Sequence, residues 1–184
     1  MRATFLVFGL LATSAMGQVT PDNWEQFEDW TVLQGPDRCA FAKVVESGEK
    51  PTYLTVIRYA IGRTFISLKN EGWSVAQGQR RTLYFYFDTG QFYALQGLGM
   101  DDHAIAVEAL PEMLGPMATA KYVNVYLKID DDKEVPLDQI GLSGSAEAIA
   151  SSGRCLKDLA ANQAEAEKAA KRKEWIKPDP FSAQ

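Results

Sequence analysis

Apolar and polar residues alternate along most of this chain, in short runs separated by turn-forming residues. "DWTVLQ" sets Trp30 and Val32 against polar neighbours, and Gly35-Pro36-Asp37-Arg38 supplies a turn. "CAFAKVVE", "TYLTVIRYAIG" and "RTFISLK" continue with β-branched and aromatic residues at period two. The strongest strand is "RRTLYFYFD", which puts Leu83, Phe85 and Phe87 on one face and Tyr84 and Tyr86 on the other. "GQFYALQG" is expected to return antiparallel across Thr89-Gly90, and "KYVNVYLKI" is another alternating strand. "NEGWSVAQGQ" reads as a turn, a short segment and a second turn.

"HAIAVEAL" predicts a strand running into a short helix, "LPEMLGPMATA", with Gly115-Pro116 ending or kinking it. Closely spaced turns between aromatic strands predict a mostly β fold, an antiparallel sandwich (immunoglobulin-like or barrel-like), and not βαβ units. After Gly144 the period changes to helical, with Ile149, Leu156 and Leu159 on one stripe and small residues beside them. "KDLAANQAEAEKAAKRKEW" then has high helix propensity and almost no apolar face, so this long C-terminal helix is expected to project from the domain. The tail from Lys177, with Pro178 and Pro180, is expected to be extended.

The amino terminus changes the compartment. Arg2, the apolar Ala3 to Ala12 and the small Ala15 and Gly17 predict a signal peptide over residues 1–17, cut before Gln18. The apolar run is too short for a membrane span, and no membrane span is expected after cleavage. The sandwich with its closing helix is then assigned to 18–160, and the charged helical extension and mobile tail to 161–184. The full chain carries a net charge of −5. Such a balance excludes nucleic acid as an expected partner, because that binding rests on clustered Lys and Arg. Cys39 and Cys155, an even pair in an exported chain, predict one disulfide.

Candidate chemistry is sparse. Gly141-Leu142-Ser143-Gly144-Ser145 comes within one residue of a G-x-S-x-G nucleophile elbow, but Ser145 stands where the motif has glycine. The only histidine, His103, lies upstream, whereas a hydrolase of that class carries it downstream. The stretch is read instead as a helix start, capped by Ser143 or Gly144, with Glu147 in the first turn. Asp101, Asp102 and His103 read as a solvated turn, since adjacent strand residues face opposite ways. Asp130, Asp131 and Asp132 read as a hairpin turn without the spacing of a calcium loop. Lys168, Lys171, Arg172 and Lys173 suit the end of a helix dipole. No catalytic residue, metal site or cofactor is therefore expected.

The aromatic group stands out. Trp73, Tyr84, Tyr86, Phe92, Tyr93, Tyr122 and Tyr126 fall on neighbouring predicted strands, and exposed Tyr and Trp side chains make good binding surfaces. Against this, a sandwich strand can meet protein on both faces.

"EDWTVLQGPDRCAFAKV" and "PLDQIGLSGSAEAIASSGRCL" resemble the opening and closing segments of the invasion-associated locus B family of exported alphaproteobacterial proteins. The resemblance runs from Trp30 to Leu159. It implies a secreted or periplasmic β-sandwich without established catalytic residues, linked in some members to host-cell interaction. Leu33 and Gln34 stand where members often carry a cysteine, and the charged helix after Leu159 is an addition.

The expected function is that of a periplasmic or secreted non-catalytic binding or assembly subunit. Its partner would be a protein or a cell-envelope component, held by Trp73, Tyr84 and Tyr86 and by the projecting helix ending at Trp175. The alternative is an inhibitor of another enzyme, inserting the loop around Trp73.

Overall fold

The computed structural model describes residues 22–46, 48–130 and 133–175, without the side chains of Asp22, Asp130 and 173–175. The signal-peptide assignment, Asp131 and Asp132, the proline-containing tail and the Trp175 side chain lie outside the described residues. The strands are β1 (Asp22–Phe27), β2 (Trp30–Gln34), β3 (Arg38–Val45), β4 (Thr52–Tyr59), β5 (Thr64–Asn70), β6 (Arg80–Phe87), β7 (Phe92–Asp101), β8 (Ala104–Glu108), β9 (Tyr122–Asp130) and β10 (Lys133–Gly141). They form one antiparallel sheet in the order β1-β2-β3-β4-β5-β8-β7-β6-β9-β10. The expected mostly β, antiparallel architecture with a short internal helix and a long C-terminal helix is thus present.

Alternation decides which face is inside. Trp30 and Val32 of β2, Phe41 of β3, Leu54 and Val56 of β4, and Ile66 and Leu68 of β5 are buried in one continuous core. That same core holds Leu83, Phe85 and Phe87 of β6, Val107 of β8, Val123 and Val125 of β9 and Ile140 of β10. One face of the sheet therefore wraps around one main core, beside which Cys39, Cys155 and Leu159 form a smaller buried cluster. Removal of these side chains from water is the main force holding the roll together.

Two devices close its ends. The loop between β5 and β6 is docked, with Val75 N–H donating to the Asp102 carbonyl at 2.8 Å and Gly78 N–H to the Gly99 carbonyl at 2.8 Å. Gly99 permits this approach: a Cβ there would lie 2.3 Å from the Ala76 carbonyl oxygen. Elsewhere, a 3-10 turn (Pro111–Met113) and α1 (Leu114–Thr119) bury Met113, Pro116 and Met117. Gly115-Pro116, expected to end or kink the helix, lies inside α1 instead. Pro116 falls in its first turn, where the missing N–H had no intrahelical partner to lose.

The second helix, α2 (Ser145–Trp175), runs for 31 residues, about 46 Å at ~1.5 Å per residue. It packs on β1, β2, β3, β4 and α1. Ala148, Ser151, Ser152, Cys155 and Leu159 are buried, whereas every side chain from Ala160 to Arg172 is exposed. The helix thus has a docked half and a projecting half, as its composition implies.

Three links hold the docked half. The expected disulfide joins Cys39 of β3 to Cys155, with Cα atoms 6.2 Å apart and a separation of 116 positions in sequence. Arg58 of β4 donates from Nη1 to Ser152 Oγ at 2.8 Å and to the Ile149 carbonyl at 3.2 Å. Arg154 reaches Glu25 of β1 at 2.6 Å. Burial lowers the pKa of the Arg58 guanidinium below its ordinary value. Arginine nonetheless stays charged at neutral pH, and its bonds to helix oxygens offset part of that desolvation.

Candidate aromatic binding face

Because Leu83, Phe85 and Phe87 point inward, β6 must present Tyr84 and Tyr86 outward. Register supplies their neighbours. Tyr84 pairs with Ala94 of β7 and Tyr126 of β9, while Tyr86 pairs with Phe92 of β7 and Asn124 of β9. The Tyr86 and Phe92 ring centroids are 4.7 Å apart with planes 30° apart; Tyr84 and Phe92 are 5.6 Å and 33° apart. Tyr126 meets Tyr86 edge-on at 5.5 Å. These are favourable aromatic geometries.

The face is open. The contacts of α2 go to β1–β4 and α1, on the other part of the sheet. Phe92 is 49% exposed, Leu98 and Met100 on the same face of β7 are each 44% exposed, and Tyr84, Tyr86 and Tyr126 are half-buried by one another. The possibility that the helix or a second layer covers these rings is thereby answered: neither does, among the described residues.

Polar groups ring the aromatics. The Tyr86 hydroxyl lies 3.3 Å from both carboxylate oxygens of Glu134 on β10. Desolvation among the rings, then the Glu134 charge, raises the Tyr86 pKa above the usual phenol range. Gln96 donates to Thr82 Oγ1 at 2.7 Å, and Gln139 donates to Asn124 Oδ1 at 2.9 Å. Glu134 was not singled out by the sequence. Its only signal was the register of β10 on β9, which a bulge between Pro136 and Asp138 obscures.

Trp73 is not part of this group. It is partly buried against the core, its N–H donates to the Asn70 carbonyl at 3.0 Å, and its carbonyl lies 2.8 Å from His103 Nδ1. Trp73, expected beside the tyrosines or at the tip of an inserting loop, is half-buried in the loop between β5 and β6, where the indole packs against the core. Tyr93 likewise turns inward, edge-on to Phe87 at 6.0 Å. Of the proposed binding residues, the structure brings together Tyr84 and Tyr86. Trp175 is the last residue of α2.

The near-elbow resolves as a junction. Ser143 is exposed and its carbonyl accepts the Trp30 indole N–H at 2.8 Å. Gly144 has φ +77°, and its carbonyl accepts the Ala148 N–H, so glycine occupies the cap position. Ser145 Oγ donates to the Met117 carbonyl of α1 at 2.5 Å. His103 has other partners, in the turn between β7 and β8, where its N–H donates to the Asp101 carboxylate at 2.7 Å.

No family model and no curated protein matches the chain. Among solved structures, it is similar to the crystal structure of invasion associated protein B from Bartonella henselae, with a TM-score of 0.53. The two are 16% identical, and the match covers 72% of this chain and 97% of that one. The likeness is one of fold, and it agrees with the architecture that the opening and closing segments implied.

Proposed function

We propose that this chain is an exported, non-catalytic binding or assembly protein of the cell envelope. It holds a protein or envelope partner through the projecting half of α2 and the aromatic face. The observation that carries this reading is the uncovered group of Tyr84, Tyr86, Phe92 and Tyr126. Soluble domains rarely leave contiguous ring surface open without a use for it, and Tyr is enriched where binding energy concentrates. The fully exposed stretch from Ala160 to Arg172 adds a second surface that its own domain does not use.

Export is supported by the leader-like start of the sequence and by a disulfide, which suits an oxidising compartment. No helix among the described residues is long and apolar enough to cross a membrane. The name of the Bartonella protein, invasion associated, favours a role in host contact. The inhibitor alternative is less favoured, because Trp73 is half-buried against the core instead of standing free at the loop tip. Affinity purification from the producing cells tests the proposal. The tagged full chain is expected to retain a partner that a chain ending at Leu159 loses. Equal retention by both would remove the helix from the account.

A further inference from the structure

We infer that one face of α2 adsorbs to the phosphate headgroups of an anionic phospholipid bilayer. The inference rests on the binding role proposed above and names the envelope component that the helix meets. At about 100° per residue, Arg154, Lys157, Lys168, Lys171 and Arg172 share one strip of α2 about 100° wide. Only alanines lie between them in that strip, and Asp158, Glu165 and Glu167 fall outside it. Ala148, Cys155 and Leu159, which dock the helix, lie on the opposite side, and all five cationic side chains are exposed.

Arg154 pairs with Glu25 at the margin of the strip. Among the described residues, Lys157, Lys168, Lys171 and Arg172 make no ion pair. They are spread along about 22 Å of one helix, a line that a flat surface can meet at every point. An ordinary solvated helix face mixes both signs. This one gathers cations alone, in a chain whose net charge is −5. The body of the protein is therefore repelled by an anionic surface while the strip is drawn to it, which fixes the side that makes contact.

A protein fits the strip less well. It offers no aromatic or large apolar anchor, and lysine is depleted where protein interfaces concentrate their binding energy. The exposed half of the helix also lacks an apolar face, so it rests on the headgroups and does not enter the hydrocarbon. Ala169 lies outside the strip and stays available to a protein.

The test is cosedimentation of the full mature chain with vesicles of phosphatidylglycerol and phosphatidylcholine in equal parts, and with vesicles of phosphatidylcholine alone. Saturable binding to the anionic vesicles only is expected, and it is lost in about 0.5 M salt. Lys168→Gln combined with Lys171→Gln is expected to weaken it more than tenfold, at about fivefold per cation. Lys50→Gln combined with Lys121→Gln removes the same charge from exposed positions elsewhere and is expected to leave binding unchanged. Circular dichroism of both double variants confirms that they fold. Binding to neither vesicle, equal binding to both, or an equal loss in the two double variants would overturn the inference. Failure to bind vesicles, with a protein still retained by the full chain and lost on ending it at Leu159, would overturn it too while leaving the wider binding role standing.

Discussion

The indole N–H of Trp30 donates to the carbonyl of Ser143 at 2.8 Å, joining β2 to the junction that leads into α2 across 113 positions of sequence. Gly144 follows with φ +77°, and a Cβ there would sit 3.2 Å from Trp30 Cδ1. Strand, junction and helix therefore meet at one indole. Gly144→Ala is expected to destabilise the fold by roughly 1–2 kcal/mol, from the left-handed conformation, plus the cost of moving Trp30. Urea denaturation measures it; an unchanged midpoint would show that the junction is not fixed by Gly144.

The disulfide constrains the unfolded chain over a long loop. Replacing Cys39 and Cys155 together by alanine is expected to cost about 4–5 kcal/mol by the chain-entropy relation. Both sulfurs are buried, so a mild reductant acting on the folded protein is expected to leave the bond intact. Mass spectrometry after alkylation under native and unfolding conditions distinguishes the two states.

Truncation after Leu159 is expected to shift stability by no more than ~0.5 kcal/mol, because every described side chain removed from Ala160 to Arg172 is exposed. A thermal scan of the two chains suffices. A loss as large as that from removing the disulfide would mean that the projecting half supports its own domain.

Tyr86 gives a pH signature. Its folded pKa is raised by desolvation and by Glu134. Protonated Tyr86 therefore favours the folded state, a contribution complete below the ordinary phenol value of about 10 and lost as pH rises through the folded value. Ultraviolet titration is expected to show one late-ionising tyrosine that Glu134→Gln moves earlier. A titration curve identical in the variant would separate Glu134 from the ring cluster.

Much of the fold was legible from alternation alone. In β6 the inward Leu83, Phe85, Phe87 and outward Tyr84, Tyr86 follow directly from period two. β1 was not, because "DNWEQF" is mostly polar and becomes a strand by pairing with β2 and packing under α2. Trp73 looked like surface because glycine and polar residues surround it, yet backbone bonds fold that loop over the core. Whether Tyr84 and Tyr86 were covered depended on where α2 docks. Cys39, Arg58 and Glu25 set that position through tertiary contacts that local sequence does not display.

The central claim is that the exposed half of α2 and the aromatic face bind a partner. Photo-crosslinking in the producing cells, from reactive residues placed singly at Ala169 and at Tyr86, tests it most directly. A discrete larger species from Ala169, containing a second protein, is expected, with Tyr86→Ala weakening retention in the envelope fraction. Uncrosslinked monomer from both positions, recovered free of the envelope, would contradict the account.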